Sequence, residues 1–157
     1  MQAGHRPAAE VWLELMRGMP NGLPRAGDQG LDHTHTWGRT YWGGALFCLQ
    51  ADIAIRERTQ GRKGLQDAFA AVAEANRADL SLWSIDAVLR VADAATGVNV
   101  LTELYAEVKD KPVAPDLDAL WASLGVVREG STVRLDDDAP RAAIRRDIMT
   151  PQSPETN

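Results

Sequence analysis

Arg39-Thr40-Tyr41-Trp42-Gly43-Gly44-Ala45-Leu46-Phe47, continuing to Asp52-Ile53-Ala54-Ile55-Arg56, is the stretch from which the rest of this chain is read. Its apolar residues recur at helical spacing. Tyr41, Ala45, Leu49, Ile53 and Cys48 share one face, and Leu46 and Phe47 widen it, which predicts a central, largely buried helix from about Thr40 to Arg58. Asp52 and Arg56 are four apart and are expected to pair. Tyr41 precedes two glycines at the mouth of this helix, so its hydroxyl has room to face a cleft. The competing reading is a buried phenol bonded to a backbone carbonyl.

Upstream, Pro7 opens a helix that carries Val11, Trp12, Leu15 and Met16 and stops at Gly18 and Pro20. Asn21 to Gly38 is rich in glycine, proline and aspartate and reads as a long ordered loop. Downstream, a helix from Leu65 to Ala75 has Leu65, Ala68, Phe69, Val72 and Ala73 as its stripe. Ser84 caps a helix that carries Ile85, Val88, Leu89 and Ala92 and closes at Gly97. Val98 to Val108 follows with Leu101, Leu104, Tyr105 and Val108 inward, and then Asp116 to Ser123 with Leu117, Leu120 and Trp121. A small hairpin about Gly130 spans roughly 126–135, and a last helix, about 139–149, has Asp136-Asp137-Asp138 as an acidic approach that suits its dipole. The prediction is one mostly α domain over 1–150, an irregular multi-helix bundle with a small β-hairpin near the C-terminus, and a flexible tail over 151–157.

The chain has 157 residues, 45% hydrophobic and 25% charged, which suits a globular domain with a real core. A net charge of −5, with arginines scattered among acids, excludes a nucleic-acid footprint. No run of about 18 apolar residues reaches the length of a membrane span, so the expectation is a soluble protein without a membrane partner. Met1 to Pro7 lacks the apolar core of a signal peptide, and the cytoplasm is the default expectation. Cys48 is alone and reads as a small buried thiol.

The order of parts resembles the helical half of gluzincin zinc aminopeptidases, the glycyl aminopeptidase family. Tyr41 with Gly43-Gly44-Ala45 resembles the family's tyrosine-bearing helix start, and Asp52-Ile53-Ala54-Ile55-Arg56 with Thr59 and Gly61 resembles that helix's end. Gly64-Leu65-Gln66-Asp67 is similar to a serine-leucine-aspartate-aspartate helix start, with glycine and glutamine as departures. Ser84 to Gly97, Val98 to Lys109 and Pro115 to Gly125 resemble the next three elements, so the likeness covers roughly 8–127. It implies a bundle like the helical lobe of thermolysin-type peptidases. It also implies that Tyr41 stabilises the oxyanion in a complete enzyme and that zinc and a peptide substrate belong to that enzyme.

The family's zinc ligands are a His-Glu-x-x-His helix and a later glutamate, and this chain contains no such motif. Gln2-Ala3-Gly4-His5 looks like the point just after the third-ligand helix. The resemblance therefore implies a subdomain inactive as this chain, partnered by the missing zinc-binding half or by a second copy through the former cleft face. That face is expected to keep apolar area around Tyr41, Trp42 and Phe47. Trp37, Trp42, Gly43 and Gly44 are the candidates to line the substrate cleft, with core packing as the alternative for the tryptophans and close helix approach for the glycines. His33 and His35 alternate on an extended segment and are weak metal candidates, with Asp28 or Asp32 as helpers. No metal or other cofactor is assigned to this chain on their account.

Overall fold

In a computed structural model, which describes residues 6–78 and 84–150, the chain is mostly helical, with one two-stranded antiparallel hairpin near the C-terminus. The tail beyond Thr150 and the segment Gln2 to His5 lie outside the described residues. Among the described residues no helix is long and apolar enough to cross a membrane. Packing groups the described residues into two compact units, one within 19–115 and one of 6–18 together with 116–150.

The larger unit is built on α2 (Trp37–Thr59). A 3-10 turn, Met19–Gly22, packs on the head of α2, and α3 (Leu65–Ala78), α4 (Ile85–Thr96) and α5 (Val100–Val108) follow it. α2 starts three residues earlier than its apolar pattern predicts. The Thr36 hydroxyl accepts a hydrogen bond from the Arg39 N–H at 3.3 Å, and this cap outweighs the helix-weakening Gly38. Leu46, Leu49, Ala51, Ile53 and Ile55 are all buried, so α2 is covered on more than one side. The core joins Ala51 and Ile55 of α2 to Leu65 and Ala68, to Leu89 and Ala92, and to Val100 and Leu101. Cys48 packs against it, and burial pushes its thiol pKa up, as befits a structural cysteine.

Two aspartates tie successive helices together. Asp52 pairs with Arg56 at 2.9 Å, as the spacing predicts, and the same oxygen accepts the Leu65 N–H at 2.8 Å, capping α3 from another helix. Arg56 is held in turn by Gln66 Oε1 at 3.0 Å. The buried Asp93 carboxylate accepts the N–H groups of Leu101 and Thr102 at 2.9 and 3.0 Å, which places the start of α5 at Val100 rather than Val98. The predicted stripe of α3 is corrected at two places: Phe69 is 56% exposed and Ala73 is exposed, because only Leu65, Ala68 and Val72 turn toward the core. Ile85, at the first turn of α4, is likewise exposed.

The second unit holds α1 (Ala8–Gly18), α6 (Leu117–Leu124), strands β1 (Val126–Glu129) and β2 (Thr132–Leu135), and α7 (Ala142–Met149). Trp12 is fully buried and meets Trp121 edge to face at 6.5 Å. The strands pair in the register Val126 to Leu135 and Glu129 to Thr132, around Gly130 at φ +62°. α7 begins at Ala142, later than predicted, and the acidic approach serves another purpose. Arg145, buried to 2% exposure, donates to the carbonyls of Leu124, Gly125 and Asp136 and pairs with Asp137. The cation thus satisfies the C-terminal end of α6.

Asp52→Ala removes both the partner of a buried guanidinium and the cap of α3. It is expected to cost about 3–5 kcal/mol, read as a lower urea midpoint with unchanged slope.

Candidate functional site

The head of α2 brings Trp37, Tyr41 and Trp42 together. Trp37 and Tyr41 are one helical turn apart, and their rings stack at 5.5 Å with only 4° between the planes. Trp42 meets Tyr41 edge-on at 5.2 Å. Trp37 is 73% exposed and Tyr41 60%. Tyr41 therefore leaves the buried face on which its spacing with Ala45, Leu49 and Ile53 places it. The 3-10 turn and the loop before α2 cover the Arg39 and Gly43 side of the helix head and leave the Trp37 and Tyr41 side exposed. Among the described residues the Tyr41 hydroxyl makes no hydrogen bond. Phe47 is not part of this exposed cluster, since it packs half-buried against the core.

Gly43 and Gly44 separate into two roles. A Cβ on Gly22 would lie 2.4 Å from the Gly43 nitrogen, so the 3-10 turn and α2 touch backbone to backbone there. Gly43 is buried in this contact, while a Cβ on Gly44 would meet nothing within 4 Å. Close approach explains the first glycine, and the second borders open space.

Arg39, which the sequence reading gives no role beyond opening the quoted stretch, holds the loop before α2. Its Nε donates to Asp28 Oδ2 at 2.9 Å and its Nη1 to the Gly22 carbonyl at 2.8 Å, and the residue is only 6% exposed. Its Nη2 is buried without a hydrogen-bond partner. Arg39 contributes to the walls of two cavities. One, of about 280 Å³, lies under Leu46, Phe47, Leu104 and Val113, with Gln50 and Glu107 as its other polar walls. The other is a groove of about 540 Å³ in which Arg25, Asp28, Thr34, Thr36 and Trp37 take part. A signal for Arg39 does exist in the sequence, namely Asp28 eleven residues before a cationic helix start. Only the loop's path makes them neighbours.

The histidines do not share a site. His33 Nε2 lies 2.9 Å from Asp110 Oδ1, and His35 is exposed on the next alternate position. Asp28 is engaged by Arg39 and by the Gly30 N–H, and Asp32 accepts the Tyr105 hydroxyl. Among the described residues no group of three or more His, Cys, Asp or Glu side chains is placed to hold a metal ion. The loop is pinned to α5 by Leu31 N–H to Val108 O at 2.9 Å and Asp32 N–H to Lys109 O at 3.1 Å. Gly30 fits only without a side chain, since a Cβ there would meet the Lys109 carbonyl at 2.3 Å.

Burial, and then the hydrogen bond to the Asp32 carboxylate, push the Tyr105 phenol up to about 12. A raised acid pKa favours the protonated folded state, so this contribution is complete below about pH 10 and is lost as pH rises through about 12. The stability difference between the wild type and Tyr105→Phe is expected to be constant below that window and to shrink across it in chemical denaturation. Gly22→Ala is expected to cost about 1–3 kcal/mol through overpacking. Gly44→Ala is expected to stabilise the helix by about 0.5–1 kcal/mol, and the thermal midpoints of the two variants should move in opposite directions.

No family model, no curated protein and no solved structure matches this chain.

Proposed function

We propose that this chain is a helical subdomain like the carboxy-terminal half of a zinc aminopeptidase catalytic domain, inactive alone, with Tyr41 as its contribution to chemistry in a complete enzyme. The observation that carries this reading is the Tyr41 ring, exposed at the head of a buried helix and packed by Trp37 and Trp42. A phenol that only packs would be expected to bury its ring. Stacking on Trp37 and the edge of Trp42 limit its rotamers, which is what a preorganised oxyanion donor needs. Gly44 leaves space beside it. The order of sequence motifs adds the family. Among the described residues no group of His, Cys, Asp and Glu side chains is placed to hold a metal ion, and in this reading zinc is supplied by the other half of the enzyme.

In such an enzyme the Tyr41 hydroxyl donates to the oxygen that gains charge as the peptide carbonyl becomes tetrahedral. Trp37 and Trp42 line the cleft beside it. The chain mixed with a zinc-binding half of a glycyl aminopeptidase is expected to hydrolyse glycyl or alanyl anilides, and neither part is expected to do so alone. Tyr41→Phe should lower kcat of the mixture by about 10²–10³ with little change in KM. Zinc-dependent hydrolysis by the chain alone would refute the inactive part, and an unaffected Tyr41→Phe mixture would refute the role of the phenol.

A second reading rests on the same exposed rings: a binding module that docks a second copy through the Trp37–Tyr41 face. An in-frame His-Glu-x-x-His upstream of the Met1 codon favours the enzyme fragment, and concentration-dependent sedimentation lost in Trp37→Ala favours the dimer.

A further inference from the structure

The 540 Å³ groove at the head of α2 has Arg25, Arg39, Thr34 and Thr36 among its walls, together with the amide side chain of Asn21. Arg25, one of its walls, is exposed, and its guanidinium has no charged or hydrogen-bonded partner among the described residues. Asp28, its one acidic wall, is neutralised by Arg39 and takes the Gly30 N–H at 2.8 Å on its other oxygen. The Thr36 and Thr34 hydroxyl oxygens accept from the Arg39 and Gln29 N–H groups, and neither hydroxyl hydrogen has an acceptor among the described residues. Arg39, more than nine-tenths buried, lines the same groove with Nη2 unpartnered.

The backbone adds to this bias. α2 is 23 residues long, begins at the groove and has no acidic residue in its first turn, so the positive end of its dipole is uncompensated. The Arg25 guanidinium, two hydroxyls and a helix start border one concavity and call for an anion. The charge count narrows the class. Arg39 is balanced by Asp28, which leaves Arg25 as the single net cation of the groove and matches one negative charge. A planar guanidinium pairs with a carboxylate in two parallel hydrogen bonds. Leu23, Ala26 and the exposed Trp37 supply an apolar wall for the remainder of the ligand.

We propose that this groove binds a small organic monocarboxylate, with its charged end on Arg25 and the donors at the start of α2 and its flat apolar body against Trp37. This goes beyond the peptidase reading and does not depend on it, because the groove is complete within this chain and needs no metal. The test is titration of the isolated full chain with benzoate, with neutral benzamide and with inorganic phosphate, followed through the indole N–H signals in proton–nitrogen NMR. Benzoate is expected to move the Trp37 signal saturably and to bind about tenfold or more tightly than benzamide. In Arg25→Gln that preference disappears, and in Trp37→Ala both aromatic ligands weaken together, while far-UV circular dichroism of both variants stays that of the wild type. Equal affinity for benzoate and benzamide overturns the proposal, as does a preference that survives Arg25→Gln. Phosphate binding more tightly than benzoate overturns the assignment to a carboxylate.

Discussion

The contact between Gly22 and Gly43 is the constraint on which the exposed end of α2 depends. Two backbones meet there with no side chain between them, and Arg39 locks the contact through the Gly22 carbonyl and Asp28. A buried guanidinium is costly unless it is paired, and this one is paired on two of its three nitrogens. The loop carrying Asp28 is thereby drawn against the first turn of α2. The same first turn presents Trp37 and Tyr41 outward, so the aromatic cluster and the adjoining groove both rest on this clamp.

Further along α2 the same economy of parts recurs. Asp52 serves at once as the partner of Arg56 and as the cap of α3, and Asp93 on α4 caps α5. Each carboxylate satisfies N–H groups that a helix start leaves open, from a neighbouring element rather than from the residue just before the helix. Helices capped this way cannot separate without exposing a buried charge. The larger unit is therefore held by electrostatics as well as by the Ala51–Ile55–Leu101 core. Arg145 does the converse in the other unit, placing a buried cation on the carbonyls that end α6.

Much of this was legible in the residues. Helical spacing and terminal signals located the helices, Ser84 and Gly97 bounded α4, and Gly130 centred the hairpin. The Asp52–Arg56 pair followed from a spacing of four. Errors fell where a cap or a neighbouring element, rather than the apolar pattern, decided the outcome. Thr36 started α2 early and Asp93 started α5 late. Phe69 turned outward, since among the described residues its ring is left exposed. For the site, the sequence singled out Tyr41, Trp37, Trp42 and the two glycines, but it left Arg25, Asp28 and Arg39 unconnected.

Periodicity and capping chemistry act within a few residues, and for that reason the sequence alone determined a mostly helical chain with a late hairpin and a tyrosine at the head of its longest helix. Whether that tyrosine lay inside or outside was decided by tertiary structure. The i, i+4 row through Tyr41, Ala45, Leu49 and Ile53 is the same row whether or not a neighbour covers its first turn. The groove likewise needed the path of a glycine-rich loop, which local patterns do not specify, to bring Arg25 and Asp28 beside Trp37.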